Sequence, residues 1–258
     1  MKLTLLGTGT SFGVPVIGCD CAVCRSADPR DKRTRCAAVI EHDGHTLLID
    51  TPPELRLQLL AARIGMVDAV LFTHTHADHI AGIDDLRAFS DRRGGELPLY
   101  GSAETVAALR AGHRYIFDDD IKALPGTTKP RLSLHELVAG RVSRIAGIEV
   151  LPLPFPHGSL TVLGFRFGDI AYITDVKVVP AEVRDRLRGL KVLVLNALRY
   201  KPHPTHLSID DALAVVADLA PERTLFTHLT HDTGHADLAA KLPKGVEPGY
   251  DGLSVEIR

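Results

Sequence analysis

The chain has 258 residues, 45% hydrophobic and 24% charged, with a formal net charge of −2. No composition shift, repeat or long linker divides it, so one domain over 1–258 is expected. The near-neutral charge provides neither a steering field for nucleic acid nor a polybasic membrane patch, and no run of 18 apolar residues occurs; a soluble, cytoplasmic protein is expected, in which metal ions supply the positive charge for any anionic substrate.

The first element is a short strand, Leu3–Leu6, too brief for the apolar stretch of a secretion signal. The run Gly7-Thr-Gly-Thr-Ser-Phe-Gly-Val-Pro15 lacks the Gly-Lys-Ser/Thr of a phosphate-binding loop and opens no helix, so its glycines read as turn formers that let backbone approach a site. Cys19, Cys21 and Cys24 follow, at a spacing that suits metal ligands more than a disulfide framework. Cys36, alone before an apolar run, reads as a small buried hydrophobe. Further strands are expected at 37–42, 46–50, 69–73, 98–101, 149–153, 163–168, 171–174, 192–196, 224–227 and 254–257. Helices are expected at 53–64, 103–112, 180–188, 208–219 and 236–241; the fourth opens on Ser208 with Asp211 three later, a weak capping box. Residues 114–131 read as a loop whose Asp118-Asp-Asp120 run is a solvated turn more than a cation site. Two blocks of strands, each followed by helices, suggest two packed sheets covered by helices outside.

The densest chemical signal is Thr73-His74-Thr75-His76-Ala77-Asp78-His79, a loop directly after the apolar run 68–72. On an extended chain His74 and His76 point the same way, because side chains alternate. Asp78 and His79 lie beyond, where the chain can turn towards a second ion. This spacing suits two metals about 3.5–4 Å apart. Imidazole accepts zinc, manganese or iron, and a carboxylate adds a harder ligand. His157, Asp175 and His228 also stand at the ends of expected strands. Each alone is ambiguous, since a lone His is more often simply hydrogen-bonded and Asp can start a turn. Together with the dense motif, they place a site on one rim of the scaffold.

On these residues, from Leu5-Leu-Gly-Thr-Gly9 through His74–His79, His157 and Asp175 to His228, the sequence resembles the metallo-β-lactamase superfamily along nearly its whole length. The resemblance implies an α/β fold, a four-layer αββα sandwich with a binuclear site at one edge. It implies that His74, His76 and His157 hold one metal, that Asp78, His79 and His228 hold the other, and that Asp175 bridges them. Asp50, closing Leu47-Leu-Ile-Asp, matches a position that supports a ligand from behind, as metal-bound His usually gives its other N–H to a carboxylate. The lesser alternative for the residue alone is an Asp that caps a loop. Antibiotic-hydrolysing members usually carry Cys in the second metal's shell, where Asp175 stands here; this favours the phosphodiesterase, ribonuclease and thioesterase branches. The stretch Asp251-Gly-Leu-Ser-Val-Glu reads as a strand, unlike the helical extension of the acylglutathione thioesterases, which lowers that branch.

The cysteine cluster after Gly7–Pro15 resembles the phosphodiesterase subfamily of carbon–phosphorus lyase pathways, which hydrolyses a phosphoribosyl cyclic phosphate. There, three cysteines and one His hold a structural zinc, and the matching His is His231. Tetrahedral Cys₃His is a normal closed site. The alternatives are three reduced thiols without metal, or Asp232 or His235 as fourth ligand. His206, two residues before the Ser208 cap, matches a His that contacts phosphate and can protonate the leaving group; otherwise it is an exposed loop His, as His203 is expected to be. The function so implied is a binuclear phosphodiesterase acting on a small cyclic phosphate or nucleotide-like diester through a metal-bridging hydroxide. Asp78 and Asp175 would orient the hydroxide, and His206 would be the general acid. Its cofactors are two divalent ions (Zn, Mn or Fe) and one structural Zn. The rivals are a tRNA 3′-processing ribonuclease, against which the lack of a basic insertion counts, and a non-catalytic accessory protein of cofactor biosynthesis, against which the full ligand set counts. The expected partner is a small phosphodiester, without membrane or nucleic acid, and a homodimer is left open. Residues 89–98 and 113–131 are expected to shape the pocket.

Overall fold

The computed structural model describes residues 1–257. In chain order its strands are β1 (Lys2–Gly7), β2 (Ala37–His42), β3 (His45–Ile49), β4 (Ala69–Leu71), β5 (Leu97–Gly101), β6 (Leu132–Glu136) and β7 (Ser143–Ile145). They continue as β8 (Ile148–His157), β9 (Leu160–Phe167), β10 (Ile170–Ile173), β11 (Val192–Asn196), β12 (Arg223–Thr227), β13 (Val246–Pro248) and β14 (Ser254–Glu256). Two seven-stranded sheets result, ordered β14-β1-β2-β3-β4-β5-β6 and β13-β12-β11-β10-β9-β8-β7. Each sheet is antiparallel in one half and parallel in the other, β3 to β6 and β10 to β13.

The strands read as nearly continuous apolar runs because both faces of each sheet are covered. Alternation sorts them: Leu47 and Ile49 point into the space between the sheets, where they join Phe165, Tyr172 and Val194 of the other sheet. Leu48 points outward with Val70 and Phe72, beneath Leu55, Leu86, Phe89 and Leu109 of one helical layer. On the other sheet Ile173, Leu193 and Leu195 point outward beneath Val183, Ile209 and Leu238. Each such side chain contributes about 1.5–3 kcal/mol on burial. The expected four-layer αββα sandwich is thus the fold.

Several elements differ from expectation. The strand expected at 149–153 runs on to His157 through Pro152, Pro154 and Pro156. In an antiparallel pair the N–H and C=O of one residue face the same side. The Pro152 carbonyl accepts from Gly140 N, away from β9, so the prolines sit at positions whose N–H side faces away from β9. There β7 has already ended, pairing only with Ile148–Val150, and no ladder bond is lost. The helix expected at 53–64 covers only Leu55–Ala61, behind Pro52-Pro53 and before Arg63 at φ +57°. That expected at 180–188 splits into Ala181–Arg184 and a 3₁₀ turn, Asp185–Leu187. A helix at Arg87–Arg93 occupies the region expected to shape the pocket and instead buries Phe89 in the outer core. Residues 114–131 carry one helical turn, Arg114–Phe117; Asp118 pairs with Arg114 at 2.7 Å, and Asp119 and Asp120 are exposed, a solvated turn as expected. Among the described residues no helix is long and apolar enough to cross a membrane.

Candidate active site and metal centre

The site lies where the carboxyl ends of β3, β4, β10 and β12 meet the end of β8. Asp50 directly follows β3 and His228 directly follows β12, while Asp175 lies two residues past β10. All three have left-handed backbones, with φ of +62°, +57° and +59°. For a residue with a Cβ that conformation costs about 1–2 kcal/mol. Glycine would avoid the cost but carry no donor atom, and such strain gathers at functional sites. Past β4 the chain runs without helix or strand to His76, whose backbone is extended, and then makes one helical turn, Ala77–Ile80. This turn, where a loop was expected, brings Asp78 and His79 round to a second position.

Fully buried Asp50 accepts three hydrogen bonds: from Thr73 N at 2.8 Å, Thr73 Oγ1 at 2.8 Å and His79 Nδ1 at 2.7 Å. Having given its proton to Asp50, the Thr73 hydroxyl accepts from His74 Nδ1 at 3.0 Å. His157 Nδ1 donates to the Thr205 carbonyl at 3.2 Å. Burial opposes the charged form of His79, but Asp175 and Asp50 hold its ring well above the ordinary value in the ion-free site. Once a ring is neutral, as a ligand must be, its single N–H stays on the bonded Nδ1 and Nε2 keeps its lone pair. Asp50 therefore does more than cap a loop: directly or through Thr73 it fixes the tautomers of His79 and His74.

The Nε2 atoms of His74, His79 and His228 are buried without a hydrogen-bond partner. Unpaired buried nitrogens are costly, about 1–3 kcal/mol each, and a bound cation removes that cost. The donors sort into two groups whose ligand atoms all lie within 4.8 Å of one another: His74, His76, His157 and Asp175, and Asp78, His79, Asp175 and His228. Asp175 belongs to both. Its Oδ2 lies 3.3 Å from His228 Nε2 and 3.9 Å from His74 Nε2, and its Oδ1 lies 3.5 Å from His79 Nε2. Burial opposes its ionised form, but His228 and His79 hold the carboxyl well below the usual range. Burial and His79 push the His74 ring well down, so it is neutral, as a ligand must be. Both donor sets fit a divalent ion.

His206 stands beside these groups and outside both. Its ring is stacked on His228, centroids 4.7 Å apart, and lies 5.0 Å from His157. Burial and neighbouring His228 push its imidazole down to about 3. His203, expected as an exposed loop residue, is half-buried, 5.0 Å from the His206 ring. The cause is the irregular segment before the Ser208 helix, which folds back against the site.

Cys19, Cys21 and Cys24 converge on His231, with Sγ–Nδ1 distances of 3.3, 3.4 and 3.3 Å. One nitrogen lone pair cannot serve three thiols. A tetrahedral zinc, with Zn–S about 2.3 Å and Zn–N about 2.0 Å, would separate its ligand atoms by about 3.5 Å, which fits all four. The Cys21 thiol, which accepts the Cys24 N–H, is pulled down to about 6, while burial pushes Cys24 up to about 11. His235 is not in this group; its backbone N–H bonds Asp31, and Asp232 bonds Thr230. Cys36 is buried, its thiol pushed up to about 12, and behaves as the small hydrophobe expected.

Between knuckle and centre lies a cavity of about 300 Å³, lined by Thr10, Phe12, Arg199, His203, His206 and His228 among others. None of its wall comes from 89–98 or 113–131. The sequence reading missed Thr73, signalled only by a hydroxyl just before the first His, and Thr205, which acts through backbone and leaves no side-chain signal.

The beta-lactamase superfamily domain matches residues 45–229. The chain belongs to the beta-lactamase superfamily. Within that superfamily, it is 40% identical to the crystal structure of a diphosphatase from the PhnP family, with a TM-score of 0.91 over 100% of this chain and 98% of that one. An octanoyltransferase of Porphyromonas gingivalis is 40% identical over 260 residues, covering 100% of this chain and 52% of the relative; the chain thus spans about half of that protein's length. A coenzyme PQQ synthesis protein B of Rhodopseudomonas palustris is 32% identical over 281 residues, 90% of each chain. The superfamily fold and the diphosphatase likeness support a hydrolase, with His and Asp clusters able to bind metal.

Proposed function

We propose that the chain hydrolyses a small phosphodiester, either a cyclic phosphate or a nucleotide-like diester, with two divalent ions at the strand-end site and a structural zinc at the knuckle. The observation that carries this reading is a carboxylate, Asp175, shared by two donor groups whose buried Nε2 atoms have no other partner. His74, His76 and His157 would hold one ion, Asp78, His79 and His228 the other, with Asp175 between them. When bound, such a pair supplies Lewis acidity to a phosphoryl oxygen and lowers the pKa of water from about 15.7 towards 7. Asp50, Thr73 and the Thr205 carbonyl hold three imidazoles in the ligating tautomer. His206, neutral when the site is free, presents an N–H to the phosphoryl group; a proton taken up with the anionic substrate makes it the donor to the leaving oxygen. The likeness to a diphosphatase supports chemistry at phosphorus and extends the candidates to diphosphates. The test is turnover by metal-loaded protein of cyclic phosphates, linear diesters and diphosphates, with an octanoyl thioester as control. Cleavage of the thioester and of no phosphorus compound would overturn the reading.

A further inference from the structure

The cavity beside His206 has features that the hydrolytic centre does not use. Arg199 lies on its wall, its backbone pinned by Ile209 N donating to its carbonyl at 2.9 Å. The guanidinium meets a carboxylate only at 3.9 Å, to Asp232, which already accepts from Thr230 at 2.7 Å, and its Nε is buried without a partner. Phe12 lines the same cavity, 70% exposed yet not on a loose loop. Gly13 N bonds the Thr10 carbonyl at 2.8 Å, with Gly13 at φ +65°, and Arg35 Nε bonds the Ser11 carbonyl at 3.0 Å. These bonds fix the loop whose largely exposed Phe12 side chain forms part of the cavity wall. The remaining lining includes the hydroxyl residues Thr10, Ser11 and Thr230 and the imidazoles of His203, His206 and His231, so donors far outnumber the single carboxylate. At about 300 Å³ the space is at the small end of ligand pockets, the size of one nucleoside-like group.

We propose that Phe12 and Arg199 form a recognition subsite for the non-reacting part of the substrate, a nucleoside-type group whose flat base stacks on Phe12 and whose anionic group pairs with Arg199. This deepens the hydrolase reading and rests on it for the word substrate. It narrows the substrate class to nucleotide-type esters or diphosphates and makes both residues specificity determinants.

The test is binding of adenosine 5′-monophosphate, ribose 5-phosphate and adenosine to metal-loaded protein by calorimetry. Phe12→Ala should weaken the two base-bearing ligands about tenfold, and Phe12→Leu nearly as much, since stacking and not apolar cover is lost. The base-free ligand should change less than twofold. Arg199→Ala should weaken the two phosphates and spare adenosine, with Arg199→Lys restoring part of the loss. Unchanged metal content and melting temperature exclude misfolding. Equal weakening of all three ligands by either alanine variant, or no weakening, overturns the subsite. Tighter binding of an oligoribonucleotide than of the mononucleotide overturns the small-molecule assignment. Absence of turnover on every phosphorus substrate would defeat the hydrolase reading alone, because these binding measurements need no turnover.

Discussion

The strand-end centre and the cysteine knuckle both gather metal-type donors, but they are built in opposite ways. At the centre the fold makes the site: two sheets deliver donors from separate strand ends, and Asp50 and Thr73 lock the rings before any ion is needed. At the knuckle the order is reversed. Past the Val14–Arg33 bridge, from Pro15 to Asp28, no helix or ladder strand forms, and three sulfurs and one imidazole are the main contacts that hold the segment to the rest of the chain. Losing an ion should therefore cost chemistry at the centre and structure at the knuckle. The two are not independent, since His228 and His231 are three residues apart.

Asp175→Ala should break this comparison most severely at the centre. It removes the donor common to both groups, so turnover should fall by more than about 10³-fold for every leaving group, with two ions lost and the fold kept. Elemental analysis and circular dichroism check it; retention of both ions with full activity would refute the shared-ligand arrangement. His206→Ala should keep both ions and slow esters of poor leaving groups by about 10²–10⁴-fold, with a smaller loss for a nitrophenyl ester. Its pH dependence has a definite sign. A donor must be protonated, so a ring at the ordinary value of about 6.5 would give a limb that falls above that pH. With the free ring held down to about 3 and a proton taken up with the substrate, kcat/KM should instead fall steadily through pH 5 to 8, with no break near 6.5. Asp50→Asn should cost about 10–100-fold in metal affinity or rate, because it loosens the His79 and His74 tautomers without removing a ligand; metal titration against a competing chelator measures it.

The smallest effect on rate belongs to the knuckle. Cys21→Ser should remove one zinc and lower the melting temperature by on the order of 5–10 °C, with a partial loss of activity through displaced His228. Unchanged zinc stoichiometry and melting temperature would contradict the knuckle's structural role.

Legibility in the sequence followed the same divide between local and assembled features. The buried strands could be read because covered sheets demand apolar runs, as in Leu47-Leu-Ile and Val192-Leu-Val-Leu. The motif His74–His79 was visible because four of its donors are adjacent in sequence. The remaining donors needed the resemblance, since nothing local marks His157 or His228 as more than a residue after a strand. β8 was cut short because three prolines argue against a strand unless one knows which neighbour is missing. Short β6, β7 and β13 carry too few apolar residues to show a period. The burial of His203 and the Thr205 carbonyl's hold on His157 depend on how 198–207 folds back, which no spacing encodes.

The prolines of β8 have a further consequence, for encounters between molecules. Beyond Pro152, whose carbonyl is taken by Gly140 N, this strand has an open side, and an unpaired strand edge is ordinarily a template on which another chain can add itself. With Pro154 and Pro156 on that side, the edge offers carbonyls but no N–H groups, so an incoming strand finds half of each ladder missing. Residues that disguise the strand in the sequence thereby guard its open end, next to His157, against the addition of another chain.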